Sequence, residues 1–289
     1  MTGTTTPTPP APEQQPAAQP TSQSTTTRSG TRALAITIGV LGGGALILSG
    51  IGVAFTTVGS TIATTLGSAG EAAVSAAGAT DLVAQVDAGE LEIEFGRTDE
   101  AVLEHSSDNG TWTIDREGDA ISVRSPERDF GFDPFDWGAR QTATLTLPES
   151  LEGIDLDIRV AAGSIVADGD FGDIAYGIDA GRIEIEGSAG ALDARMTAGR
   201  SVIDLDSVAT ANVEVTAGSL EAEFSGTPPE GVTVTVTAGS VEMRLPDVPY
   251  DVRVDREAGN LTSTLAEDRA SSRTVEGTVM AGNLRLIAD

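Results

Sequence analysis

The chain has 289 residues, with 44 acidic residues against 17 basic ones and a formal net charge of −27. All of the basic residues are arginine and cysteine is absent, which excludes disulfides, thiolate metal sites, thiol nucleophiles and Schiff-base lysines. From Glu71 onward 43 acids (44 − 1) face 15 arginines (17 − 2), a net of −28 that repels nucleic acid and anionic lipid headgroups.

Residues 1–31 are Thr, Pro, Ala, Gln and Ser with almost no apolar side chains. Such a segment buries too little surface to offset ordering entropy, so it is expected to be a disordered tail. Residues 32–58 then form an apolar run, with no charge between Arg32 and Glu71. As a helix, residues 33–55 span roughly 35 Å, enough for a hydrocarbon core of about 30 Å. Arg28 and Arg32 flank the N-terminal side while the far side is acidic. The positive-inside rule therefore predicts a single-pass helix with a cytoplasmic tail and an extracytoplasmic C-terminal domain. A cleaved signal peptide has a shorter apolar region nearer the start of the chain, so an uncleaved anchor is favoured. Residues 59–80 are small and mostly uncharged, and are expected to form a stalk or a frayed continuation of the helix.

Residues 81–289 carry the most informative pattern. The dipeptide Ala-Gly recurs with its glycine at Gly163, Gly181, Gly199, Gly218, Gly239, Gly259 and Gly282, at spacings of 18, 18, 19, 21, 20 and 23 residues. An early copy ends at Gly89. Alternating apolar residues follow most of them: Leu91, Ile93 and Phe95; Ile183 and Ile185; Val241, Met243 and Leu245. Charged residues such as Glu92, Glu94, Glu184 and Glu186 lie between. Strict alternation marks half-buried strands, and a second such strand precedes each glycine. Asp170-Phe171-Gly172-Asp173 and Gly187-Ser188-Ala189-Gly190 read as turns between the strands. A unit of about twenty residues cannot bury its apolar face alone, whereas stacked units can. The fold expected is therefore all-β, a β-solenoid whose coils stack in parallel, each on the next. An antiparallel sandwich is the runner-up. Residues 97–150 break the period. Turn signals at Asp108-Asn109-Gly110 and Arg116-Glu117-Gly118-Asp119 predict hairpins covering the N-terminal end of the stack.

The hairpin region, the Thr144-Leu145-Thr146-Leu147-Pro148 strand and the successive AGSI, AGRI, AGSL and AGSV units carry a resemblance. From about residue 80 to the C-terminus the chain resembles the putative-adhesin family of bacterial β-strand-repeat, β-helix-like envelope proteins. The resemblance implies a membrane-tethered envelope protein and brings no catalytic residues with it.

Three features carry candidate chemistry. His105, the only histidine, lies in the polar stretch Glu104-His105-Ser106-Ser107 and is read as a solvated loop or strand-end residue. No catalytic, cofactor-binding or metal-binding residue is assigned, and no enzyme is predicted. If the coils stack in phase, Glu184, Glu186, Glu221, Glu223 and Glu242 form rows about 4.8 Å apart. Such rows attract either interleaved Arg182, Arg200 and Arg244 or divalent cations, Ca²⁺ being the natural choice for oxygen ligands. Finally, Phe130, Phe132, Phe135 and Trp137 gather in a Gly- and Pro-broken segment. This is either a hydrophobic plug over the stack end or a loop that binds an envelope protein or glycan partner. The function expected is a non-enzymatic, membrane-anchored adhesion or scaffolding surface. The alternative is an envelope-signal sensor acting through the single helix.

Overall fold

The computed structural model describes residues 69–108, 110–126 and 141–289. The expected tail and apolar span, and the segment holding Phe130, Phe132, Phe135 and Trp137, lie outside these residues. Among the described residues the protein is all-β, with one 3-10 turn at Glu149–Leu151 and no helix long and apolar enough to cross a membrane.

The strands are β1 (Gly70–Ser75), β2 (Asp81–Val86), β3 (Glu90–Gly96), β4 (Glu100–Ser107), β5 (Thr113–Glu117) and β6 (Ala120–Arg124). They continue as β7 (Gln141–Pro148), β8 (Ile154–Val160), β9 (Ser164–Ser188), β10 (Ala191–Asp206), β11 (Thr210–Val215) and β12 (Ser219–Ser225). The last are β13 (Gly231–Val236), β14 (Ser240–Leu245), β15 (Asp251–Arg256), β16 (Asn260–Ser263), β17 (Thr274–Val279) and β18 (Asn283–Ala288).

These strands form an open sheet whose pairings resolve into two ladders. The first runs β5-β6-β2-β8-β9-β10-β11-β13-β17-β15 and the second β1-β4-β7-β3-β9-β10-β12-β14-β18-β16. All pairs are parallel except β1–β4, β4–β7 and β5–β6 at the N-terminal end. β9 and β10 belong to both ladders because each bends round a corner without losing strand geometry. The turns expected at Asp170–Asp173 and Ala180-Gly181 therefore lie inside β9. Backbone bonds persist through these bends, from Ala180 N to Ala161 O and from Gly190 N to Gly172 O.

Alternation sets the core. β11 and β13 read exposed-buried in strict period two, sending Ala211, Val213 and Val215, then Val232, Val234 and Val236, inward. The inward faces of both ladders meet in one aliphatic cluster running from Leu82 to Leu286. Each such Val, Leu or Ile contributes roughly 1.5–3 kcal/mol by leaving water. A one-residue slip in any strand would turn its whole apolar set outward, so this core also fixes register.

The corner glycines stack in contact. A Cβ on Gly163 would meet the carbonyl oxygen of Gly89, one on Gly181 that of Gly163, and one on Gly199 that of Gly181. The row continues through Gly218 and Gly239 to Gly282 and then Gly259, and every such Cβ would lie closer than 3.0 Å to backbone oxygen. Close approach of neighbouring corners, more than any turn conformation, is what demands glycine here. Gly163, Gly181 and Gly239 do not have positive φ.

That row exposes a difference from simple sequential stacking. The last coil in sequence, β17–β18, lies between β13–β14 and β15–β16. The first coil, β2–β3, likewise lies between β6–β7 and β8–β9. At both ends the outermost parallel coil is therefore not the terminal one in sequence. A further correction concerns residues 59–80. From Gly70 to Ser75 the chain is a strand rather than stalk or helix, with Gly70, Ala72 and Val74 half-buried and Glu71, Ala73 and Ser75 exposed.

Candidate functional site

Outward side chains on the second ladder are held in register by the core behind them. Glu221 stands between Val202 and Glu242, and Glu242 between Glu221 and Arg285. One position along, Glu186, Asp204, Glu223 and Arg244 follow one another on successive strands. Arg244 joins the two rows. Its guanidinium lies 3.2 Å from Glu221 Oε1, 3.8 Å from Glu223 Oε2 and 2.8 Å from Glu242 Oε1. Arg285 takes the other Glu242 oxygen at 3.1 Å. The hydrogen bond to Glu221, with the surrounding carboxylates, raises the Arg244 pKa further above its ordinary value, so this centre stays cationic.

Of the two glutamate rows expected, Glu186 and Glu223 are joined through Asp204, while the other is broken. Val202 separates Glu184 from Glu221, and Glu184 pairs instead with Arg182 at 3.1 Å. Among the described residues no group of three or more acids and histidines is arranged to hold a metal ion. The like charges are offset by arginine. The same device recurs on the first ladder, where Arg159 reaches Asp157 at 3.4 Å, Arg195 reaches Asp193 at 2.9 Å, and Arg253 bridges Asp251 and Glu276. Asp157 and Arg159, Asp193 and Arg195, and Asp251 and Arg253 each stand two residues apart on one strand, and so on one face, while Glu276 faces Arg253 from the neighbouring strand. That i, i+2 spacing of acid and arginine is a signal already present in the sequence.

His105 lies on β4, opposite Gly70 of β1 and Ala143 of β7. It borders a shallow groove of about 490 Å³, lined also by Gly70, Glu71, Glu104, Thr142 and Thr144. The imidazole is half-buried near the end of β4, and burial lowers its pKa from the ordinary value of 6.5. Its Nδ1 is buried and has no hydrogen-bond partner among the described residues. The aromatic segment, expected to bind a partner or plug the stack end, leaves β6 and re-enters at β7, and Phe130, Phe132, Phe135 and Trp137 lie outside the described residues.

Chemically, the outer face offers rows of carboxylates interrupted by guanidinium groups at fixed strand spacing. That arrangement suits polar, multipoint contact with another surface.

The chain is similar to solved structures of bacterial adhesin-like proteins. A putative cell adhesion protein from Clostridium sporogenes has 12% identity and a TM-score of 0.40, with 77% of this chain and 100% of that chain covered. A putative adhesin from Bacteroides fragilis has 11% identity and a TM-score of 0.44 over 76% of this chain and 97% of that one. A putative adhesin from Parabacteroides merdae has 9% identity and a TM-score of 0.37 over 77% and 96%. No family model matches the chain, and no curated protein matches it.

Proposed function

We propose that this chain is a non-enzymatic, membrane-anchored envelope protein whose β domain is a solenoid presenting an adhesion or scaffolding surface. The observation that carries the reading is the Arg244 cluster. Glu221, Glu223 and Glu242 gather around the Arg244 guanidinium, with Arg285 on Glu242, on the outward face of a ladder backed by an aliphatic core. An array of that kind contacts a partner at many points at once without remodelling, which lowers the ordering cost of association. The parallel ladders, with an Ala-Gly corner in every coil but β6–β7, support the solenoid description. The uncharged span 33–58, flanked by Arg28 and Arg32, supports an anchor with the β domain outside.

The test is attachment by bacteria expressing the full chain, compared with bacteria expressing a chain ending at residue 80. Surfaces coated with envelope proteins or with glycans serve as targets. Attachment that depends on residues 81–289 and is removed by external protease supports the proposal. Equal attachment by the two strains, or complete protection of the β domain from external protease, refutes it.

A further inference from the structure

His105 is the only imidazole in the chain, and it sits where the first strand joins the sheet. The Gly70 backbone rests directly against the ring, so that a Cβ on Gly70 would lie 2.7 Å from Nε2. Nδ1 is buried and, among the described residues, has no hydrogen-bond partner. A neutral imidazole tolerates this as an unprotonated nitrogen, but an imidazolium carries a charge and an N–H donor at both positions. β1 is also lightly held. None of its residues is fully buried, and among the described residues it pairs with β4 alone. Among the described residues the charged groups lining the groove beside the ring are Glu104 on β4 and Glu71 on β1, both exposed to solvent. β7 contributes none, because Gln141–Pro148 is uncharged. The groove beside the ring gives water access to it.

We propose that β1 is a pH-released strand: protonation of His105 below neutral pH unlatches β1 from β4 while the parallel coils stay folded. Release would free six residues, about 20 Å of extended chain, between the N-terminal segment and β2. The sign follows from linkage. Burial lowers the pKa with β1 docked, whereas the ring of the released state is in water near 6.5. The released state therefore binds more protons as pH falls through 6.5, and docking weakens until the docked-state pKa is passed. Above neutrality docking is unaffected. The inference does not depend on the adhesive reading, since it concerns only how the first strand is held.

The experiment is amide hydrogen exchange on the detergent-solubilised full chain at about pH 7.5 and about pH 5, corrected for intrinsic rates. Opening of residues 70–75 is expected to increase at the lower pH, by roughly tenfold for each unit by which burial depresses the pKa. His105→Gln and His105→Phe are expected to lose that response. Gly70→Ala, whose methyl collides with the ring, is expected to leave β1 open at both pH values. A flat response in the natural chain overturns the proposal. So does an unchanged response in both His105 variants, or a response that spreads equally through β8–β18.

Discussion

The hydroxyls of Tyr176 and Ser201 meet at 2.7 Å inside the aliphatic core, one on each ladder. Ser201 is fully buried in register between Ile183 and Leu220, a row position that otherwise takes large aliphatic side chains. Tyr176 lies between Ile158 and Ala194, and the small Ala194 leaves room for the ring. Burial pushes the phenol well above its ordinary pKa of 10, so it remains protonated and needs a partner. Ser201→Ala should orphan that hydroxyl and cost roughly 1–3 kcal/mol. Tyr176→Phe with Ser201→Ala removes both polar groups and should cost less than the sum of the single changes. Denaturant unfolding of the four proteins in a double-mutant cycle checks this.

The corner row makes a second, positional prediction. Gly181→Ala and Gly239→Ala place a methyl against the carbonyl of the preceding corner glycine, so two packed coils must separate. Each should cost roughly 2–4 kcal/mol, within the range of overpacking and backbone-strain substitutions. Gly177→Ala is the control. It lies on a strand of the same stack, without positive φ, and a Cβ there meets nothing within 4 Å. It should be neutral or stabilise by up to about 1 kcal/mol through the unfolded state. Midpoints of urea unfolding separate the two classes.

These glycines also show why part of the fold was legible in sequence. Every coil but β6–β7 contributes one glycine to a contact that leaves no room for a side chain, so the dipeptide recurs once per coil. Alternation at Leu91, Ile93, Val241 and Met243 gave the buried faces for the same reason, since the core enforces period two. Coil order was not legible. The β17–β18 pattern would fit against any other coil, and its insertion depends on residues 264–273 reaching back over the stack end. Tyr250 is tied there, its N–H donating to Ala266 O and its carbonyl accepting from Asp268 N. The only trace in sequence is the wider spacing of 23 between Gly259 and Gly282. The strand-end position of His105 is legible from its polar surroundings, whereas its contact with Gly70 is not, because that contact comes from pairing distant in sequence. Of the candidate site, the acidic positions were legible and their arginine partners only partly so. Nothing local announces that Arg244 and Arg285 lie on adjacent strands.

Arg244 supplies a test of the outer face. Replacing it with Gln leaves Glu221, Glu223 and Glu242 facing one another with Arg285 as the remaining nearby cation. The expected outcome is a loss of thermal stability at low salt that shrinks as salt rises toward about 1 M, where the screening length is roughly 3 Å. The natural chain should depend less on salt over the same range, because the arginine already offsets the carboxylates. Melting curves across a salt series at fixed pH compare the two, and parallel salt dependence would show that Arg244 does not organise this cluster.

The transposed C-terminal coil reverses an ordinary expectation about chain ends. A terminal element usually frays first, because only one side of it is covalently continued. Here β17 and β18 are paired on both sides, β17 with β13 and β15, and β18 with β14 and β16. Backbone donors from Asn283 to Gly239 O and from Asn260 to Gly282 O lock the same corner from above and below. The coil formed by β15 and β16 pairs on one side only apart from a bridge at Tyr250, and its inward Val252, Val254 and Leu261 are merely half-buried. Amides of residues 275–288 should therefore exchange more slowly than those of residues 252–263, although they lie nearer the end of the chain. Local opening of the outer coil exposes little core, whereas opening of the inner one must break four strand pairings together. Exchange measured by mass spectrometry on peptides from the two segments decides the matter, and faster exchange in residues 275–288 would mean that the chain end peels before the outer coil does.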